Sequence, residues 1–84
     1  MKYLPHVWDQ IKNITADELK RALERDGWVE DQTRGSILVY RDQSGKRITV
    51  HYHPRKTYGP RLLKEMLESI GWTEVDLKRL KLIK

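Results

Sequence analysis

From Lys46 to His53 the chain reads KRITVHYH, and apolar Ile48, Val50 and Tyr52 alternate with Thr49, His51 and His53. A period of two describes a β-strand with one face buried and one in water. Such a strand needs paired neighbours and something apolar to cover it. The neighbours are readable upstream, in the strand-like runs Trp28 to Gln32 and Ser36 to Arg41. Gly35 separates these two runs, Gln43-Ser44-Gly45 separates the second from the third, and Pro54 closes the third. The spacing predicts a three-stranded antiparallel meander with both third-strand histidines on its polar face.

The cover is readable on either side of the strands. Thr15-Ala-Asp-Glu18 has the form of a capping box, Leu19, Ala22 and Leu23 form an apolar stripe, and Gly27 ends that helix. Pro60 suits the first position of a second helix, because its missing N–H is one the helix leaves unbonded anyway. Leu63, Met66, Leu67 and Ile70 stripe this helix, and Gly71 stops it. Thr73 caps a short third helix carrying Leu77 and Leu80, and the closing KRLKLIK is expected to fray. Trp28 and Trp72 follow Gly27 and Gly71 at matching junctions and read as packing residues. The first fourteen residues show no sustained period, and Pro5 is expected to break any helix there. Tyr3, Leu4, Val7 and Trp8 suggest an arm that docks, with Trp8 the tryptophan placed to meet a partner.

The reading is therefore α+β: an α-β-β-β-α order, a three-stranded antiparallel sheet with helices on one face, and a short C-terminal helix. Residues 1–14 are the arm and 15–84 the domain. With 84 residues and no cysteine, one core must hold the chain together without a disulfide. The longest apolar run is Ile37 to Tyr40, which excludes a signal peptide or membrane span and makes a soluble cytoplasmic protein the expectation. The C-terminal LKRLKLIK is too short and too weakly apolar for a membrane-surface helix.

Charge narrows the partner. Residues 1–33 hold five Lys/Arg against seven Asp/Glu, and residues 34–84 hold twelve against five, so −2 and +7 give the net +5. A basic excess gathered in one part of a small domain is the footprint of a polyanion.

Several stretches resemble, in order and spacing, the HicA toxin family, also called YcfA-like. They are LERDGWVE (Leu23 to Glu30), RGS (Arg34 to Ser36), SGKRITV (Ser44 to Val50), His53, and GPRLLKEMLESIGWT (Gly59 to Thr73). The resemblance covers roughly residues 15 to 80. It implies a double-stranded-RNA-binding-domain-like fold, mRNA cleavage without a cofactor, and a HicB-like antitoxin protein as partner. After the strand-opening Gly-Ser the family usually carries the histidine held responsible for cleavage, and here that position is Ile37. An isoleucine neither takes nor gives a proton, so the activity does not transfer to it. The arm is also longer than the family's.

The stretch HYHPRK, residues 51 to 56, has three readings. As a metal site, His51 and His53 fall short of the three or four ligands zinc needs unless His6 or Asp9 folds over, and no metal is expected. As a catalytic site, His51 or His53 moves the proton while Arg55 or Lys56 faces the phosphorane charge. As a binding edge, it contacts phosphate without chemistry. For RNA contact the candidates are Arg34, Lys46, Arg47, Arg55, Lys56, Arg61 and Lys64, beside the free N–H groups of the helix that Pro60 opens. Tyr52 is expected in the core, and Tyr58 is equally suited to core or base stacking. Three functions stay open: a ribonuclease toxin with relocated chemistry, a catalytically silent RNA-binding or protein-pairing module, and an interaction domain working through the Trp8 arm.

Overall fold

The structure, a computed structural model, describes residues 3–35, 37–52 and 57–84. Its elements are α1 (Pro5–Ile11), α2 (Ala16–Arg25), β1 (Val29–Arg34), β2 (Ile37–Arg41), β3 (Arg47–His51), α3 (Pro60–Ile70) and α4 (Glu74–Arg79). The strands form one antiparallel sheet in the order β1-β2-β3. Leu38, Tyr40, Ile48 and Val50 are buried on one face against Leu19 and Leu23 of α2 and Leu63, Met66, Leu67 and Ile70 of α3. Each such side chain taken fully out of water contributes roughly 1.5–3 kcal/mol. The other face is open, and the fold is the α+β arrangement the patterning predicts.

Local signals act where the sequence puts them. Thr15 Oγ1 accepts from Glu18 N at 3.2 Å, and Glu18 Oε1 accepts from Thr15 N at 3.1 Å. At the other end of α2, Gly27 takes φ +90°, Gly27 N donates to Glu24 O at 3.2 Å and Trp28 N to Leu23 O at 3.0 Å. This double closure wants a left-handed residue, which glycine adopts without steric cost. It delivers Trp28 into the core, and Gly71 does the same for Trp72 after α3. Both indole N–H groups donate to Asp26 Oδ2, at 3.1 Å from Trp28 and 2.7 Å from Trp72, and Arg79 holds the other carboxylate oxygen.

Two expectations about the ends are corrected. Pro5 does not break a helix but starts one: it stands at the first position of α1, whose Val7 and Ile11 join the main core. Proline forbids a helix interior, not its first turn. Tyr3 and Trp8 pack against the core as the arm reading expects, whereas Leu4 stays 60% exposed. The C-terminus does not fray either. After α4, Leu80 and Ile83 are buried, and Lys84 N donates to Gln10 Oε1 at 2.8 Å. Lys81, at φ +62°, closes α4 as Gly27 closes α2, with Leu82 N donating to Leu77 O at 2.9 Å.

Candidate nucleic-acid interface on the open sheet face

Register decides which side chains share the open face. In β2 and β3, Leu38 pairs with Val50 and Tyr40 with Ile48, all buried, so the alternate pairs point the other way. Those pairs are Ile37 with His51, Val39 with Thr49, and Arg41 with Arg47. On the β1 side Val29 pairs with Arg41 and Asp31 with Val39. The register then slips by one residue between Asp31 and Arg34, where Gln32 takes φ +46°. A bulge of this kind re-aims the side chain that follows it. Arg34 becomes the direct partner of Ile37.

The result is a row across all three strands: Arg34, Ile37, His51. Directly opposed residues on one face have Cβ atoms about 4.5–5.5 Å apart. The His51 imidazole therefore stands beside position 37, with an arginine on the other side of it. His51 and Arg34 are exposed, and Ile37 is 41% exposed between them. No partner among the described residues holds the Arg34 guanidinium. A second row, Asp31, Val39 and Thr49, follows, and then Val29, Arg41 and Arg47. Arg47 Nη2 lies 3.4 Å from Asp31 Oδ2.

The His51 end of the sheet is anchored on both sides of the strand. Tyr58 Oη donates to His51 O at 2.8 Å, and Thr57 bridges to Thr15 at the α2 cap. Burial first, then the nearby Asp17 carboxylate, pushes the Tyr58 phenol up to about 12. Tyr52 is half-buried against the core, its hydroxyl donating to Asp17 Oδ1 at 2.5 Å, and that hydrogen bond raises its pKa. Lys20 Nζ lies 5.4 Å from the Tyr52 ring centroid. Both tyrosines thus fasten the end of β3 to the helices.

Among the basic candidates, Arg34 and Arg47 reach the open face with His51. Lys46 points the other way, its ammonium donating to Ile70 O at 3.3 Å, at the C-terminus of α3. A cation there meets the negative end of the helix dipole. Lys64 stands 4.9 Å over the ring of Trp8, so the tryptophan expected to meet a partner is half-buried under a lysine of its own chain. Arg61 is exposed in the first turn of α3, which has no acidic residue and no side-chain cap. His53, Arg55 and Lys56 lie outside the described residues. His6 sits 3.8 Å from Glu74 and Asp9 3.4 Å from Lys12, so both arm residues considered as a third metal ligand have other neighbours.

Sequence reasoning missed Arg41. The β2 alternation Ile37, Val39, Arg41 already carried it to the open face, but as the residue before a turn it read only as a strand end. The bulge that turns Arg34 had no sequence signal, since Gln32 is not a residue that marks a left-handed position.

With this geometry in place, one comparison decides the family. A family model described as the HicA toxin of bacterial toxin-antitoxin matches residues 16–72, about two thirds of the chain. The chain belongs to the HicA toxin family. No curated protein matches it significantly. The match runs from the first residue of α2 to Trp72, so the whole sheet and both covering helices are the HicA part. Membership carries a toxin-type role and an antitoxin as the kind of partner. Among the described residues no helix is long and apolar enough to cross a membrane. In HicA terms, the open-face row is centred on position 37, where the family resemblance leads one to expect a histidine.

Proposed function

We propose that this HicA-family chain is a metal-independent endoribonuclease of the cytoplasm that binds RNA on the open sheet face and uses His51 for proton transfer. The observation that carries this reading is the direct pairing of His51 with Ile37. A histidine displaced across one strand spacing serves nearly the same volume as one at position 37. The chemistry needs three groups. His51, as neutral imidazole, takes the proton of the ribose 2′-OH, and the 2′ oxygen attacks the adjacent phosphorus. Arg34, across Ile37, faces the charge that develops on the phosphorane oxygens. The bond from phosphorus to the 5′ oxygen breaks, and that oxygen takes a proton from His53, the second candidate, or from water. The products are a 2′,3′-cyclic phosphate and a 5′-hydroxyl. Arg47, Arg55, Lys56, Arg61, Lys46 and Lys64 are the remaining candidates for phosphate contact.

A second reading keeps the RNA but not the chemistry, because Ile37 leaves no titratable group at the family's position. Cleavage of end-labelled total RNA in EDTA separates the two. Wild type is expected to cut, and His51→Ala to cut about 10²–10⁴-fold more slowly, the usual range for loss of a general base. If wild type shifts RNA in a gel without cutting it, the chain is a binding module.

A further inference from the structure

We infer that the open face carries a second phosphate subsite, built by Arg41 and Arg47, and that its ligand is a single RNA strand running along β2. This rests on the reading that the face binds RNA. Arg41 and Arg47 are direct cross-strand partners on the exposed face. Like charges directly opposite one another destabilise a sheet. Only Asp31, 3.4 Å from Arg47, offsets the pair, and among the described residues Arg41 has no carboxylate partner. The third carboxylate nearby, Asp42, is turned into its own hairpin: its Oδ1 accepts from Ser44 N, Ser44 Oγ and Lys46 N at 2.9, 2.7 and 2.8 Å. A sheet that keeps two opposed arginines breaks a local rule, and a bound anion supplies the missing compensation.

Position and size select the ligand. Arg41 lies four residues from Ile37 on the same strand, about 13 Å at about 3.3 Å per residue. The two ends of the face, Arg34 with His51 and Arg41 with Arg47, are therefore separate anion sites joined by Val39 and Thr49. Val29, 60% exposed, and Gly27 line a shallow hollow beside Arg41 that offers an apolar wall to a base. Across the strands the face is only about 10 Å wide, two spacings of about 4.8 Å. A duplex reader contacts about 16 base pairs across two minor grooves, far more than this face spans. A basic track with apolar places for bases is instead how single strands are held.

The test compares wild type, the Arg41→Gln/Arg47→Gln double variant, the Arg41→Lys/Arg47→Lys double variant and His51→Ala. Each is titrated with a dinucleotide, a single-stranded octanucleotide and a blunt RNA duplex over a range of salt. The octanucleotide is expected to bind the glutamine variant at least tenfold more weakly. Its log–log salt slope should be shallower by about 1.4, at about 0.7 per lost single-strand contact. The lysine variant should keep the slope, dinucleotide binding should not change, and the glutamine variant should melt at or above wild type because a repulsive pair is gone. Unchanged octanucleotide affinity and slope in the glutamine variant overturn the subsite while leaving RNA binding in place. A glutamine variant that melts lower gives the arginines a structural role instead, and preference for the duplex overturns the single-strand ligand. If wild type binds no RNA at all, the function proposed above fails together with the subsite.

Discussion

Positions 37 and 51 face one spot on the sheet, and a proton-transfer group placed at either serves that spot. This makes the relocation reversible in principle. Ile37→His introduced into the His51→Ala background is expected to restore RNA cleavage by at least about tenfold, against the 10²–10⁴-fold range of a lost general base. Ile37 is 41% exposed, so a polar replacement costs little stability. Rates on end-labelled RNA in EDTA provide the measurement, and no recovery in a folded double variant means that position 37 is not equivalent to position 51. Arg34 belongs to the same argument at this scale. Its approach depends on one left-handed residue, Gln32, and on nothing in Arg34 itself.

Caps and turns set the elements. α2 and α4 each begin with a reciprocal box, Thr15 with Glu18 and Thr73 with Asp76. The backbone N–H of Thr73 is the first reason that the Asp76 carboxyl titrates below its ordinary range, followed among favourable contacts by the Arg79 guanidinium. A lowered carboxylate pKa stabilises the fold above the unfolded value, near 3.9, and that contribution is lost as pH falls through the folded value. Acid unfolding followed by circular dichroism should therefore steepen below about pH 4. Thr73→Ala is expected to lower stability at neutral pH by about 1 kcal/mol, as loss of an N-cap usually does, and to flatten that acid slope. An unchanged acid slope in this variant would sink the link between Asp76 and the cap. The Asp42 carboxylate, held low first by the Ser44 hydroxyl, plays the same part in the β2–β3 hairpin.

For the whole molecule the unit of stability is wider than the family match. Val7 and Ile11 precede residues 16–72, and Leu77, Leu80 and Ile83 follow them, yet all five are buried in one cluster with Leu19, Tyr40 and Leu63. Ile83→Ala, four residues from α4 and only 6% exposed, is expected to cost about 2–5 kcal/mol. Urea melts of the full chain measure this directly, and a cost under about 0.5 kcal/mol, the level of a surface change, would mean the C-terminal tail is not part of the core. An appendage that merely frays would show only the smaller effect.

Periods and caps determined much of this protein from the sequence. Ile48, Val50 and Tyr52 set the strand face, Thr15 and Thr73 started their helices, Gly27 and Gly71 ended theirs, and the two Gly-Trp junctions marked packing. These are interactions within a few residues, so residue type and spacing suffice to read them. The same local logic misread the ends, because whether Pro5 starts a helix and whether Ile83 is ordered depend on a surface made by residues far away in the chain. The candidate site was legible in its parts, His51, Arg34 and Arg47, but not in its arrangement. Only tertiary structure decided that a one-residue slip at Gln32 turns Arg34 toward Ile37, that Lys46 and Lys64 serve a helix end and Trp8, and that Arg41 faces Arg47. Register is set by pairing between strands, and side-chain direction follows register, so neither is written in any single strand.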